Sequence, residues 1–249
     1  MKKFTNESML VIISYLEKEL QNKDEILFEV LNPDVNIDIY AGEILKIENK
    51  EFIYRSYKSW CDLAELLFCK MLISSITLNT VVIKLQKLNK NDSFHKDLND
   101  EKNEKYGEKS TFFRINKNEE PAFLYAYMNA LKNVKIEEKT NILNLGINKA
   151  DEFEIIKEMV NEDIFKQMNF VGVDYSLSAI DFAKKRFPYE NFNFFNHDIN
   201  KLNELNLKKS DLIISIGTLQ SSSLNFKLLF LDLIQNYLED KGSILLGFP

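Results

Sequence analysis

Residues 141–154 read NILNLGINKADEFE, and residues 169–176 read NFVGVDYS. In each, a short apolar run stops at a small or acidic residue and a helical pattern follows. Gly146 closes the first run. Asp151, Glu152 and Glu154 then fall in the opening turn of a helix, where acids suit the positive end of the helix dipole. Asp174 closes the second run, and LSAIDFAKKRF (177–187) continues as an amphipathic helix. Outward from this pair the alternation persists through FNFFNHDI (192–199), DLIISIG (211–217), a helix at Phe226–Tyr237 and SILLGF (243–248). Apolar strands alternating with helices at short spacing predict an α/β fold, a doubly wound and mostly parallel sheet covered on both faces.

The first half reads differently. Met9, Ile12, Ile13, Leu16 and Leu20 make a helical stripe within 5–21. Extended pieces follow at 26–30 (ILFEV) and 37–40 (IDIY), then a hairpin of ILKI (44–47) and FIYR (52–55) joined by residues 48–51. A helix is predicted from Tyr57 to Leu72 and a strand over 81–88 (VVIKLQKL). Residues 89–109 are almost wholly polar, which suits a linker or lid. Pro121 then opens a helix that turns Phe123, Leu124, Tyr127 and Leu131 inward. These readings divide the chain into an α+β extension, 1–111, and a sheet-bearing core, 112–249.

Bulk properties bound the function classes. With 249 residues, 45% hydrophobic and 28% charged, the chain can bury a full α/β core and is not disordered throughout. No apolar run approaches the roughly 20 residues needed to span a bilayer. The N-terminal MKKFTNESMLVIISYLEKEL carries Glu7, Glu17 and Glu19 and reads as an amphipathic helix, not a signal peptide. Cys61 and Cys69 are read on one helix, too far apart to bridge, as two small buried residues of a reducing, cytoplasmic compartment. A formal net charge of −6 disfavours nucleic acid as a partner. Only two histidines, His95 and His197, are present, and no acids cluster at ligand spacing, so no metal site is expected.

Four positions stand at predicted strand ends, where an open doubly wound sheet binds ligands. Gly146 follows Asn144 and opens a loop that backbone can use to approach a ligand closely. Asp174, followed by Tyr175, is placed to accept from two ribose hydroxyls. Asp198, followed by Ile199, is placed to accept from an adenine amino group. Ser215 and Gly217, in SIGTLQ (215–220), end the fourth strand where the reactive end of the ligand would lie. Helix capping is the competing role for Asp174 and Asp198.

These motifs, in this order, resemble those of the class I S-adenosylmethionine-dependent methyltransferases, over roughly residues 112–249. LNLGINKA is similar to that family's first motif, VGVDYS to its second, NHDI to its third and DLIISIGTLQ to its fourth. The resemblance implies a Rossmann-like core with S-adenosylmethionine as cofactor. It implies that Asn144 and Gly146 face the methionine part, Asp174 and Tyr175 the ribose, Asp198 and Ile199 the adenine, and Ser215 and Gly217 the sulfonium. The family's first-motif acid is Asn144 here, and its second and third glycines are Asn148 and Ala150; asparagine tolerates the left-handed conformation. Arg114 is a further candidate for holding the ligand. His95 and Gln220 are the candidates for catalytic positions.

The acceptor is expected to be a small molecule or saccharide-linked group, because the family's Asn-Pro-Pro-Tyr string is replaced by SIGTLQ. KNEEPAFLYAYMNALKNV, SIGTLQSSS and SILLGFP also look similar to bacterial methyltransferases that O-methylate the phosphoramidate of capsular polysaccharide. The N-terminal half is expected to supply the acceptor side, with Tyr40 and Tyr106 as further candidates. Two other classes stay open: a nicotinamide oxidoreductase, which should show G-x-G-x-x-G early in the chain, and a decayed, non-catalytic partner on the same fold. SILLGF would end the sheet with an unpaired backbone row. It is expected either to belong to a longer chain or to pair with a strand from 26–55 or with a second copy in a homo-oligomer.

Overall fold

Val81, Ile83 and Leu85 alternate along one strand, and all three are buried in the core of the N-terminal unit. The computed structural model describes residues 1–35, 39–89, 104, 106–110, 112–221 and 223–248. The chain divides into Met1–Ser93 and Phe94–Pro249.

The first unit comprises β1 (Lys2–Lys3), α1 (Met9–Leu20), β2 (Glu25–Leu31), β3 (Ile44–Ile47), β4 (Lys50–Ile53), α2 (Tyr57–Leu66), β5 (Cys69–Ile76) and β6 (Thr80–Lys87). Four strands pair in the order β1-β2-β6-β5, with β1 parallel to β2 and the others antiparallel. Ile12, Leu16 and Leu20 of α1 and Trp60 and Leu63 of α2 close one core with Phe28, Ile83 and Leu85. Hairpin β3–β4 forms with a shorter connection than the expected 48–51: Lys50 and Glu51 pair with Ile47 and Lys46, and the chain turns through Glu48 and Asn49 at φ 50° and 61°.

Three further expectations for this unit need correction. The helix predicted to Leu72 ends at Leu66, and residues 69–76 are strand. Phe68, at φ 56°, breaks the helix, and Met71 and Ile73 pair with Leu85 and Ile83. Hydrogen bonding to β6 thus overrides the local helical pattern. The cysteines therefore sit on different elements, and Cys61 is exposed while Cys69 is buried. In the piece read as a strand at 37–40, residues 37 and 38 lie outside the described residues, and Ile39 and Tyr40 are not in a strand.

The second unit comprises α3 (Pro121–Asn133), β7 (Asn141–Leu145), α4 (Asp151–Met159), α5 (Glu162–Gln167), β8 (Asn169–Asp174), α6 (Leu177–Arg186), β9 (Phe192–Asn196), β10 (Ser210–Ile216), α7 (Phe226–Asp232) and β11 (Leu238–Gly247). Its five strands are all parallel, in the order β11-β10-β7-β8-β9. Successive side chains face opposite cores. Ile142, Phe170, Leu212 and Ile214 pack against Leu131, Phe153 and Phe165. Leu143, Leu145, Val173 and Ile213 pack against Leu202, Leu229 and Leu233. The α/β, doubly wound class predicted from the alternation is the class observed.

Chain order reverses at β7, which has β8 on one side and β10 on the other. The carboxyl ends of these three strands therefore flank a switch point. β11 lies at the sheet margin, and among the described residues no strand pairs with its outer edge. Among the described residues no strand from 26–55 pairs with it: β2 is hydrogen-bonded to β1 and β6, and β3 and β4 pair with each other.

Candidate functional site

The loop after β7 keeps a glycine-like backbone although only one of its three special positions is glycine. Gly146, Asn148 and Ala150 have φ of 76°, 46° and 63°. At Gly146 the conformation is enforced by space as well, since a Cβ there would lie 1.9 Å from Thr218 Oγ1. The loops after β7 and β10 thus touch through a missing side chain. Ala150 precedes α4, whose first turn holds Asp151, Glu152 and Glu154. Arg186 on α6 fixes this turn by donating to Lys149 O (2.8 Å), Asp151 Oδ1 (2.6 Å) and the Glu154 carboxylate. Lys149 Nζ reaches back to Phe113 O and Ile115 O.

Asp174 joins the loop after β7 to the start of α6. Its Oδ2 accepts from Asn148 N (2.8 Å) and its Oδ1 from Ser176 N (2.9 Å). Burial pushes its carboxyl upward, the nearby Glu104 charge adds to that, and the backbone amides of Ser176, Asn148 and Tyr175 oppose it. It is not the cap of α6: Ser176 takes that place, with its hydroxyl accepting from Ala179 N. Glu104 docks on the same helix start, bonding Ser176 Oγ and Ser178 Oγ, and Gly107 is packed so tightly there that a Cβ would meet Glu104 and Ser178. Asn148 Nδ2 donates to Tyr106 O (2.7 Å) and Glu108 N donates to Ser178 Oγ (2.8 Å), so Tyr106 lies against the β7 loop and Glu104, Gly107 and Glu108 against the start of α6.

The remaining predicted positions divide. Gly217 has φ 70°, is exposed, and would have nothing within 4 Å of an added Cβ, so it faces open space at the end of β10. Tyr175 is exposed beside Asp174. Ser215 is buried and donates to Leu145 O (3.1 Å), which ties β10 to β7 and occupies its hydroxyl within the sheet. Asp198 caps the following 3-10 turn, its Oδ1 accepting from Asn200 N and Nδ2 (both 2.9 Å). Capping, weighed above as its competing role, is thus the one the bonds display. Ile199 is buried in the core. His197 Nε2 lies 2.9 Å from Lys201 O, a local contact. Arg114 and Gln220 are exposed on the surface of this unit. Tyr40 is exposed in the first unit. His95 lies outside the described residues.

Sequence reasoning missed a buried polar group beneath the loop. Asn144 is fully buried with neither carboxamide atom hydrogen-bonded, and Tyr127, 3% exposed, has an unbonded hydroxyl. Glu152 stands beside them. Burial pushes its carboxyl up to about 8, the charges of Asp151 and Asp174 adding and its own backbone amide and Asn144 opposing. Asn144 acts on Glu152 by proximity; no hydrogen bond of good geometry joins them. The only sequence signal was the acidic first turn, which helix-dipole preference explains without reference to a site. A hollow of about 1050 Å³ lies elsewhere, among Glu17, Leu20, Asp24, Phe68 and Lys87 of the first unit.

A glycine-type loop, a carboxylate at the end of the second parallel strand and an open glycine after the fourth are what a nucleoside-bearing ligand requires at a switch point. Residues 136–247 match the family model of a methyltransferase domain. The matched segment begins just before β7 and ends with β11. The solved structure of the plantazolicin methyltransferase BpumL in complex with SAH is similar at 19% identity over 62% of this chain and 55% of that one, with a TM-score of 0.43. BpumL with a monoazolic desmethylPZN analog and SAH gives 20% identity, 52% and 49% coverage and a TM-score of 0.42. A SAM-dependent methyltransferase from Aquifex aeolicus gives 17% identity, 48% and 62% coverage and a TM-score of 0.39. The chain thus spans about half the length of BpumL in these two complexes (55% and 49%). No curated protein matches it. No described helix is long and apolar enough to cross a membrane. Among the described residues no group of three His, Cys, Asp or Glu is arranged to hold a metal ion.

Proposed function

We propose that the protein is an S-adenosylmethionine-dependent methyltransferase. The observation that carries this reading is Asp174: a carboxylate at the end of β8, held by Asn148 N and Ser176 N against the β7 loop. The methyltransferase-domain match over 136–247 supports it. So does the fit of the residues present, because unbonded polar atoms at Asn144 and Tyr127 and the open face of Gly217 would be completed by a polar ligand along the strand ends. Bound there, the cofactor supplies an electrophilic methyl group on a sulfonium. The chain's own part is to hold the ribose on Asp174, exclude competing geometries, and align an acceptor for in-line displacement.

The loop conformation favours this reading over a decayed partner. Asn148 and Ala150 have lost the glycine letters but keep positive φ. A nicotinamide oxidoreductase would need small residues there to cradle a pyrophosphate on the helix start, and Asn148 and Lys149 occupy that approach instead.

The acceptor in this reading is a small molecule or sugar-linked group, with the phosphoramidate oxygen of a capsular polysaccharide as the narrower proposal. Such an oxygen is anionic at neutral pH and needs cationic or donor groups such as Arg114 or His95 more than a strong base. The N-terminal unit is assigned to the acceptor side and the reaction to the cytoplasm. Calorimetry with S-adenosylhomocysteine tests the cofactor. Asp174→Ala should weaken binding at least tenfold, since a bond to a charged acceptor is worth about 1.5–3 kcal/mol. Unchanged affinity would remove Asp174 from the site. Methyl transfer from labelled S-adenosylmethionine to capsular glycans with and without phosphoramidate tests the narrower reading.

A further inference from the structure

The first turns of α1 and α2 open on one hollow of the first unit. Ser8 caps α1 and Ser56 caps α2, each accepting from the amide three residues on. The hollow, about 360 Å³, is lined by Ser8 and Met9 from the start of α1, by Ser59 from the first turn of α2, and by Gly42, Ile53 and Arg55. Gly42, at φ 100°, has nothing within 4 Å of where a Cβ would stand, so its side of the hollow is open. Arg55 is buried, 7% exposed. Its Nη2 donates to Glu7 O (2.5 Å), the residue before Ser8, and its guanidinium lies 5.7 Å from the ring of Trp60, the residue after Ser59. The cation therefore stands between the two helix starts.

Among the described residues no carboxylate is ion-paired with Arg55. Glu7 is the acid whose charge acts on it. Both Glu7 oxygens are taken, by Lys2 Nζ (2.8 Å) and Thr5 N (2.7 Å). Burial holds the guanidinium below its ordinary value, with Glu7 opposing. A buried charge without a close counter-charge is costly, and the remaining N–H groups of Arg55 are donors without an acceptor. The helix starts add amides that no intrahelical carbonyl takes, Met9 N among them, and the positive ends of two dipoles. Ser8 Oγ accepts from Val11 N (3.4 Å), so its own proton can point outward.

We propose that this hollow binds the phosphoryl group of a small phosphorylated molecule, with Arg55 as its counter-charge and the starts of α1 and α2 as its amide and hydroxyl donors. Donors from an arginine and two helices converge from several directions. That suits the three free oxygens of a phosphoryl group better than the two coplanar oxygens of a carboxylate. The hollow is larger than a phosphate ion, and Met9 and Ile53 on its wall offer apolar contact to an organic remainder. The site uses residues of the first unit alone and is independent of the methyl-donor reading.

Trp60 is the single tryptophan of the chain and lies beside Arg55, so its fluorescence reads the site. The full chain is titrated at neutral pH in about 0.15 M salt, where loose surface attraction is screened. The probes are glycerol 3-phosphate, inorganic phosphate, glycerol and acetate. The expected result is a saturable change with glycerol 3-phosphate, a weaker one with inorganic phosphate, and none with glycerol or acetate. Arg55→Lys should weaken glycerol 3-phosphate at least about tenfold, because an ammonium lacks the planar fork of a guanidinium. Ser59→Asp puts a negative charge in the hollow and should abolish the response. An acid in the first turn suits the α2 dipole, so this variant should have a thermal midpoint no lower than that of the wild type. No saturable change in the wild type, an equal response to acetate, or an undiminished response in Ser59→Asp overturns the site. A response to inorganic phosphate with none to glycerol 3-phosphate overturns the assignment to a phosphorylated molecule.

Discussion

Gly146 shows how much one missing Cβ can decide. Its φ of 76° and the 1.9 Å approach to Thr218 leave no place for any other residue. Gly146→Ala should cost about 1–2 kcal/mol for the left-handed backbone and about 1–3 kcal/mol more for overpacking. Urea denaturation should therefore show a clearly lowered midpoint, and an unshifted one would mean that the two loops do not touch. Glu152 sets a second prediction. Its carboxyl is held up to about 8 in the folded protein against a reference of 4.5, so between those values the folded state binds more protons than the unfolded one. Stability then falls as pH rises through that window, by an amount on the order of a few kcal/mol, and levels off above it. Asp174 acts in the same direction from its own raised position. Glu152→Gln should make the protein more stable than the wild type at pH 8 but not at pH 4, as read by thermal unfolding at the two values. Equal shifts at both would contradict a buried acid. Neither Glu152 nor Tyr127 was legible in the sequence as part of a site: an acid in a first turn and an inward aromatic each have an ordinary explanation.

At the scale of elements, the sheet of the second unit was readable because a parallel strand buried on both faces is largely apolar, and three of its strands stop at or just before a residue that stands out: Gly146, Asp174 and Gly217. The α2–β5 junction was not. Residues 57–72 carry a helical pattern, and nothing local says that Cys69–Ile76 finds β6 instead. The break falls on Phe68, which sits at φ 56° after the C-cap of α2. Phe68 is partly exposed and donates its amide to Glu65 O (2.9 Å), as a helix-terminating residue does. Phe68→Gly should relieve the left-handed strain and raise stability by about 1 kcal/mol. A lower denaturation midpoint would show that the ring contributes more packing than its backbone loses. Arg186 belongs to this scale too. It binds the β7 loop and α4 to α6, and its replacement by Met should cost about 2 kcal/mol, since bonds to charged groups contribute about 1.5–3 kcal/mol each and part of that is screened by solvent.

Over the whole molecule, two units with separate hydrophobic clusters should respond separately to a ligand held by one of them. Saturating S-adenosylhomocysteine at about 100 times its dissociation constant adds roughly 2.7 kcal/mol to whatever folds around it. Hydrogen exchange should slow in β7, β8 and β10 and stay unchanged in β2, β5 and β6; uniform slowing would mean one cooperative unit. The exposed outer edge of β11 should exchange fastest among the sheet strands in either state. By itself the sequence determined the α/β class, the five-strand alternation and the strand-end positions of Gly146, Asp174 and Gly217. Those follow from periodicity and from the glycines and acids that punctuate it, which are properties of neighbours along the chain. Tertiary structure alone decided that residues 69–76 are strand, that the Ser215 hydroxyl donates to Leu145 O, and that Tyr127 and Asn144 are buried with unbonded polar atoms. Each of these depends on which distant backbone or side chain a group finds after folding. A hydroxyl or carboxylate at a strand end looks the same in the sequence whether it faces a ligand or the next strand.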